Sequence, residues 1–179
     1  LREGVTFHGG SEFNADVVKK NVARIQDPEV ASSQASLFEM ITDIEVVDDY
    51  TIRFTTEYPF ASLPAHLAHP VSGIVAPDLI DEDYQAMEDG TEPGTIINEN
   101  PIGTGYFEFD EWVPGEYVRL TRNDDYWEEP AKLDSVTFKV IDEDLTRVAE
   151  LQTGDSHITN PLSPSDVEQI ETHEETNVQ

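Results

Sequence analysis

The beginning of the chain says most about its fold: residues 1–18 read LREGVTFHGGSEFNADVV. Val5 and Phe7 alternate with polar residues, which is typical of a short strand, and a pair of glycines interrupts it soon afterwards. Asn14 then stands directly before an amphipathic segment, so it predicts the N-cap of a helix over residues 15–26. A strand, a turn and a helix in quick succession predict a fold in which α and β elements mix.

Further along the chain, alternating apolar residues predict a hairpin. Ile44 and Val46 alternate with polar residues before an acidic turn, and Ile52 and Phe54 alternate after it. A second β-rich region is predicted over residues 106–140. Because strands and helices do not alternate regularly, the sequence predicts an α+β fold of small mixed sheets with helices rather than a doubly wound sheet.

Other segments carry weaker patterns. Ser36 is followed by Glu39 at the spacing of a capping box, which predicts a short helix. Short strands are predicted near residues 74–75 and over residues 157–159. Residues 88–103 are acidic and rich in glycine, proline and asparagine, so they are predicted to form a loop. A helix-like stretch is predicted from residue 59 to about residue 67, and further helices are predicted to start at Pro77, at residue 143 and after Ser163 or Ser165.

The charge of the chain is strongly negative, because 38 Asp and Glu residues outnumber 10 Lys and Arg and give a formal net charge of -28. Such a charge could keep a chain disordered, but 37% of the residues are hydrophobic, which is enough for a core. An acidic surface on an ordinary globular pattern favours adaptation to concentrated salt, with a basic partner or bound calcium as alternatives. Nucleic acid is disfavoured as a partner, since it is bound mainly through Lys and Arg.

No catalytic or metal-binding pattern stands out. The chain has no cysteine, which excludes disulfides and thiolate chemistry. His66 and His69 could form a metal pair on one helix face, but no carboxylate follows at zinc-site spacing, so a surface pair is favoured. Residues 103–105 resemble a shortened glycine loop without the lysine of a phosphate site. We therefore predict no catalytic residue, no metal site and no cofactor.

Five blocks of the sequence resemble, in the same order, signature blocks of the family-5 extracellular solute-binding proteins of oligopeptide, dipeptide and nickel ABC importers. The first block is the stretch quoted above. The other four are VVDDYTIRF at 46–54, PIGTGYF at 101–107, RNDDYW at 122–127 and LQTGD at 151–155. Tyr106 and Asp124 each stand where the family usually has proline, which changes the detail of the blocks and not their order.

This resemblance implies a fold, a division of the chain and a function. The fold would be part of a type II, cluster C periplasmic-binding-protein-like first lobe with its extra domain. Residues 1–105 would form that extra small domain and residues 106–179 a partial return into the first lobe, with the second lobe absent. The protein would capture a peptide, or a similar solute such as a nickel complex or a sugar, and deliver it to ABC permease subunits. It would not be an enzyme, and it would work at the cell surface through a membrane anchor or in the periplasm.

The resemblance also implies candidate ligand contacts. Residues 33–38 and 69–73 would approach the cleft from the extra domain, and the turn over residues 103–106 would lie near the base of the lobe. The candidate ligand-binding residues are Gln34, Phe38, His69, Ser72, Thr104 and Tyr106. Core packing is the alternative for the two aromatic candidates, and a turn role is the alternative for the histidine. Trp112 and Trp127 are interpreted as packing residues whose indole N–H needs a partner.

Two other classes of function stay open at this point. A halophilic hydrolase domain would use two of the many carboxylates, and its turnover would be lost when that acid pair is mutated. A sensor or adhesion module would reuse the fold without transport. Neighbouring genes for permease and ATPase subunits would distinguish transport from that second alternative.

Overall fold

The computed structural model describes residues 1–173 and 176–178, which form helices and two small sheets. The α-helices are α1 (Ala15–Gln26), α2 (Leu63–Leu67), α3 (Pro77–Glu88), α4 (Thr95–Glu99), α5 (Asp144–Thr153) and α6 (Pro164–Glu171). The strands are β1 (Ile41–Asp48), β2 (Thr51–Thr56), β3 (Phe107–Val113), β4 (Tyr117–Arg122) and β5 (Ser135–Lys139). Two 3-10 helices lie at Ala35–Leu37 and Pro70–Ser72. The predicted α+β class is confirmed.

The strands form two sheets and the chain forms two compact units. β1 and β2 pair antiparallel, and β4 lies between β3 and β5 in a three-stranded sheet. Unit 1 comprises Leu1–Glu111 and Arg119–Val136, and unit 2 comprises residues 112–118 and the described residues from 137 onwards. The assignment of the residues before and after position 105 to different parts of a lobe stays a prediction.

Helix α1 begins and ends where the sequence predicts. The Asn14 side chain accepts a hydrogen bond from the amide of Val17 at 3.1 Å and so caps the start of the helix. Asp27 after its end is extended, as expected for a residue before proline. The buried residues of the helix are Ala15, Val17, Val18, Asn21, Val22 and Ile25.

The predicted hairpin of β1 and β2 packs on α1 and forms the larger core of unit 1. Ile44 pairs with Phe54 and Val46 with Ile52, as the alternation predicts. The buried members of this core are Val22, Ile25, Phe38, Met40, Ile41 and Ile44.

A second core of unit 1 joins the start of the chain to α3. Val5 and Phe7 are buried as the alternation suggests, but the predicted strand is reduced to a single bridge between Thr6 and Glu12. Two glycines stand between these partners, so the segment turns back before a ladder can form. The buried members of this core are Phe7, Val17, Ala76 and Leu79.

Three of the weaker predictions for unit 1 are wrong in whole or in part. The segment around Ser36 is one turn of 3-10 helix, and no side chain caps it. Residues 88–103 contain helix α4 and are not a plain loop. Residues 74–75 form no strand, because the side chain of Asn21 binds both the amide and the carbonyl of Val75 and takes the place of a neighbouring strand.

An ion pair ties α3 to α1 and to the start of α4. The Nη2 of Arg24 donates to Asp83 at 2.7 Å, and only 1% of Asp83 is exposed. The same carboxylate accepts hydrogen bonds from the amides of Gly94 at 2.9 Å and Ile96 at 3.2 Å. These partners satisfy a buried charge that would otherwise be strongly unfavourable.

A phenol links α3 to the residue after α1. The Tyr84 hydroxyl donates to Asp27 at 2.7 Å. Burial, together with the hydrogen bond to this carboxylate, raises the pKa of Tyr84 to about 12. The same hydrogen bond from Tyr84 is the main cause that lowers the pKa of Asp27.

Unit 2 contains the last two helices, and both have the predicted caps. Gly154 ends α5 in a left-handed conformation with φ of 80°, and Ser163 forms a capping box at the start of α6. Val148 and Ile170 are fully buried. The strand predicted over residues 157–159 is wrong, since the structure has no strand there.

Large apolar side chains of unit 2 are exposed. Trp112, for which the sequence predicts a packing role, is 46% exposed to solvent. Phe138 and Val140, whose alternation predicts a strand, are also exposed. Strand β5 does form, so the alternation identified the strand but not the burial of this face.

The longest described helices, α1 and α3, have 12 residues each, whereas a membrane span needs about 20. None of the described helices is long and apolar enough to cross a bilayer.

Candidate functional site

The first two predicted ligand contacts flank the 3-10 helix Ala35–Leu37. Gln34 precedes this helix and is half-buried, so part of it is accessible to a ligand. Phe38 follows it and is 0% exposed within the larger core. The side chain of Gln26 fixes this segment by donating to the Phe38 carbonyl at 2.8 Å. The burial of Phe38 favours core packing over ligand contact.

His66 joins this segment to the second predicted one. Its Nδ1 donates to the carbonyl of Leu37 at 2.7 Å, and its ring lies edge-on to Phe60 with centroids 4.9 Å apart. The hydroxyl of Ser72, a predicted contact, donates to the His66 carbonyl at 2.9 Å. His66 therefore holds residues 33–38 and 69–73 close together.

His69, another predicted contact, caps the 3-10 helix Pro70–Ser72. Its Nδ1 accepts a hydrogen bond from the amide of Val71 at 3.2 Å, and its side chain is exposed. This is the turn role given above as the alternative for this residue. Among residues 1–173 and 176–178, no three His, Cys, Asp or Glu side chains are grouped as a metal site.

The turn over residues 103–106 is fixed through its four carbonyl groups. The carbonyl of residue 103 accepts a hydrogen bond from the His8 amide at 2.9 Å, and the carbonyl of residue 104 accepts one from the indole N–H of Trp127 at 3.0 Å. The carbonyl of residue 105 accepts hydrogen bonds from His8 Nε2 at 2.9 Å and from the Asn123 side chain at 3.1 Å. The carbonyl of residue 106 accepts one from the Asn123 amide at 3.1 Å. Three residues distant in sequence thus determine the conformation of the turn that carries Thr104 and Tyr106.

Tyr106 belongs to a group of aromatic side chains in unit 1. It is 53% exposed, and its ring lies edge-on to Tyr126 with centroids 5.4 Å apart. The ring centroids of Tyr126 and Trp127 are 4.7 Å apart, and the guanidinium carbon of Arg2 lies 4.0 Å from the centroid of the Trp127 ring. Tyr106 therefore presents much of its ring to solvent, where it can stack against a ligand.

Residues of the predicted segments 69–73 and 103–106 line one cavity of about 380 Å³ in unit 1. Val71 and Gly73 line it from one turn, Gly103 lines it from the other, and Arg24 lines it from α1. None of the six predicted residues is among those that line it. The structure thus brings segments 69–73 and 103–106 to one cavity without placing the predicted side chains on its wall.

Three residues that position the site are absent from the predicted set. His8 and Asn123 lie inside blocks that resemble the family, but a partner 97 residues away from His8 is not visible in one sequence. Asn21 stands among the valines of the apolar stripe of α1, and that position could have identified a buried amide.

Comparisons with known proteins identify a family and relatives of this chain. The sequence profile of the bacterial extracellular solute-binding proteins, family 5 Middle, matches residues 1–179. The glutathione-binding protein GsiB of Pectobacterium atrosepticum is 35% identical over 163 residues, which are 90% of this chain and 30% of that protein.

Solved structures show the same likeness. The periplasmic binding protein DppA of Helicobacter pylori, in complex with the peptide STSA, has a TM-score of 0.82 and 32% identity over 96% of this chain and 36% of its own. The oligopeptide-binding protein AppA of Bacillus subtilis, in complex with a nonapeptide, has a TM-score of 0.82 and 29% identity over 97% of this chain and 34% of its own.

The chain spans about a third of the length of these proteins, between 30% and 36%. The resemblance of the five sequence blocks is confirmed by a profile that covers the whole chain and by relatives of the same fold. The chain belongs to the bacterial extracellular solute-binding proteins, family 5.

Proposed function

We propose that the protein containing this chain captures a small solute, in the first place a peptide, outside the membrane and delivers it to the permease subunits of an ABC importer. The family match over residues 1–179 carries this proposal, supported by two solved relatives that hold peptides. Capture is reversible binding and requires no catalytic group.

In this proposal the chain supplies part of one lobe. Residues 1–105 form an extra small domain, residues 106–179 return into the first lobe, and a second lobe lies outside this chain. The length of the relatives supports a lobe outside this chain, since 163 matched residues make up only 30% of GsiB. Closure of two lobes about a hinge encloses the ligand, so both are needed for tight binding.

The proposed ligand contacts are the predicted residues that have accessible surface. Gln34 and the 3-10 helix after His69 contribute polar groups, and the turn at Thr104 contributes the exposed ring of Tyr106. Phe38 supports this surface from the core instead of contacting ligand. The proposed contacts are Gln34, His69, Ser72, Thr104 and Tyr106.

The place of action follows from the family. The family is described as one of extracellular solute-binding proteins. We therefore propose either a membrane-anchored position at the cell surface or the periplasm. The partners in this proposal are the transported solute and the permease. A formal net charge of -28 makes nucleic acid an unsuitable partner.

Thermal shift of the full-length protein in molar salt tests the proposal. The panel consists of di- to pentapeptides, nickel chelates and oligosaccharides, and a ligand that binds only the folded state raises the melting temperature by mass action. We expect one class, peptides first, to raise it clearly. No shift with any class would contradict solute capture.

A pair of tyrosine variants tests the proposed contact surface. Tyr106→Ala is expected to reduce the shift caused by the bound ligand, because it removes a ring that is 53% exposed in the proposed site. Tyr58→Ala removes a ring that is 52% exposed elsewhere, and it should leave the shift unchanged. Equal effects of the two variants would contradict the assignment of Tyr106.

A further inference from the structure

The segment that carries His8 is held by its own turn and by the core. Phe7 is only 2% exposed and belongs to the second core of unit 1. Its amide donates to the carbonyl of Ser11 at 2.8 Å, and its carbonyl accepts a hydrogen bond from the amide of Gly10 at 2.7 Å. The backbone next to Phe7 is therefore fixed, and with it the position from which the imidazole of His8 extends.

His8 contacts the turn over residues 103–106 with its backbone and with its ring. Its amide donates to the carbonyl of Gly103, and its Nε2 lies 2.9 Å from the carbonyl oxygen of Gly105. A carbonyl oxygen only accepts hydrogen bonds, so Nε2 must carry the proton. The side-chain amide of Asn123 donates to the same oxygen at 3.1 Å. Two donors thus determine the direction of this carbonyl and of the peptide bond that leads to Tyr106.

The other ring nitrogen of His8 shows that one tautomer fits. Nδ1 is buried and has no hydrogen-bond partner among the described residues. In the Nε2–H tautomer this atom is an unpaired acceptor. The Nδ1–H tautomer would leave a buried donor unpaired, and it would bring the lone pair of Nε2 against the carbonyl oxygen of Gly105. The geometry therefore requires the Nε2–H tautomer.

His8 differs from the other two residues that bind this turn. Asn123 is only 6% exposed and also fixes its own loop, since its Oδ1 accepts a hydrogen bond from the amide of Asp125 at 2.9 Å. Trp127 packs against Tyr126 as well. Among the described residues, the ring of His8 hydrogen-bonds only to the turn. A change at its ring therefore acts on the turn most selectively.

We propose that His8 is a positioning residue of the solute site. Its Nε2–H holds the carbonyl of Gly105, and the turn then keeps Thr104 and Tyr106 in the conformation that binds solute. His8 acts through the turn and not by touching the solute. This inference rests on the proposed function, because Thr104 and Tyr106 are solute contacts only there.

The tautomer is tested in the wild-type full-length protein, labelled with ¹⁵N at histidine and tryptophan, in mildly alkaline buffer. Long-range ¹H–¹⁵N spectra distinguish a ring nitrogen that carries a proton from one that does not. We expect the signals of His8, identified by their absence in His8→Gln, to show a proton on Nε2 and none on Nδ1. A proton on Nδ1 would overturn the proposal.

Two replacements at His8 separate the donor from the ring. Gln places its side-chain nitrogen near the position of Nε2, whereas Asn is shorter and places it near the position of Nδ1. The probe is the peptide STSA, which the solved relative from Helicobacter pylori holds, or the panel peptide with the largest thermal shift if STSA does not bind. Titration calorimetry of the full-length protein should give an affinity within about twofold of the wild type for His8→Gln and a loss of at least about threefold for His8→Asn. His157→Asn, at an exposed histidine of unit 2, should leave the affinity unchanged.

The indole signal of Trp127 reports the conformation of the turn without any ligand. Its N–H donates to the carbonyl of Thr104 at 3.0 Å, so the signal should stay in place in His8→Gln and move in His8→Asn. The signal is identified by its absence in Trp127→Phe. This readout separates a displaced turn from a general loss of stability, which the melting temperature without ligand measures.

The outcomes distinguish the role of His8 from the proposed function. Equal affinity of the wild type and His8→Asn would overturn the role of His8 and leave solute capture intact. A loss of affinity in His8→Asn with an unmoved Trp127 signal would also overturn it, because the turn would then be in place. Failure of every panel peptide to bind the wild type would overturn solute capture and, with it, the role of His8 in binding. If His8→Asn does not fold, the tautomer and His8→Gln decide, and a loss of more than about twofold in folded His8→Gln would overturn the proposal.

Discussion

Asp83 accepts hydrogen bonds from Arg24 and from two amides of the segment that starts α4, and only 1% of it is exposed. Asp83→Asn leaves the mostly buried guanidinium without a balancing charge, so we expect the free energy of unfolding to fall by about 3–5 kcal/mol. Urea denaturation measures this loss. The matched control is Asp81→Asn, which breaks an ion pair with Lys20 at a carboxylate that is 68% exposed and should lower stability by less than about 1 kcal/mol. Equal losses in the two variants would contradict the structural role of Asp83.

Tyr84 gives stability a measurable dependence on alkaline pH. Its folded pKa of about 12 lies above the value of 10.0 for an ordinary tyrosine, so it stabilises the fold fully below pH 10 and this contribution is lost as the pH rises towards 12. We expect the free energy of unfolding to fall more steeply between pH 10 and 12 in the wild type than in Tyr84→Phe. Tyr58→Phe, at a tyrosine that is 52% exposed, should behave like the wild type. The same slope in wild type and Tyr84→Phe would show that this phenol is not perturbed.

Among the elements, the 3-10 helix Ala35–Leu37 matters because it places Phe38 in the larger core. Phe38→Ala removes a fully buried ring, and we expect the free energy of unfolding to fall by about 3–5 kcal/mol. Phe138→Ala removes a ring that is 59% exposed on β5 and should cost less than about 1 kcal/mol. Chemical denaturation compares the two variants. A small loss for Phe38→Ala would return this residue to the set of ligand contacts.

Elements defined by local signals were predictable from the sequence. The start of α1 depends on Asn14 and its neighbours, and the hairpin depends on alternation on both sides of one turn. The strand predicted at residues 74–75 does not form, because the partner of this segment is the side chain of Asn21, 54 residues earlier. Helix α4 was missed because its start depends on Asp83, which binds the amides of residues 94 and 96.

The candidate site was predictable only in outline. The resemblance identified the segments 33–38, 69–73 and 103–106, and the structure brings the last two to one cavity. The residues that fix these segments, such as His8 and His66, act on carbonyls far along the chain. Such contacts follow from tertiary packing, so a single sequence does not contain a local signal for them.

At the scale of the whole molecule, charge should control stability. A formal net charge of -28 on 179 residues causes self-repulsion that dissolved salt screens, to about 3 Å at 1 M. We expect the melting temperature to rise clearly between dilute buffer and molar KCl. Equimolar sucrose, which supplies no ions, separates screening from general stabilisation by cosolvents. A melting temperature that stays flat in KCl would contradict the predicted adaptation to salt.

Under the proposed function, the protein captures a solute without changing it. Titration calorimetry of the full-length protein with the peptide that gives the largest thermal shift, followed by mass spectrometry of the recovered peptide, tests this most directly. We predict saturable binding of one peptide per protein and recovery of the peptide intact. The absence of saturable binding, or recovery of the peptide in cleaved form, would contradict solute capture.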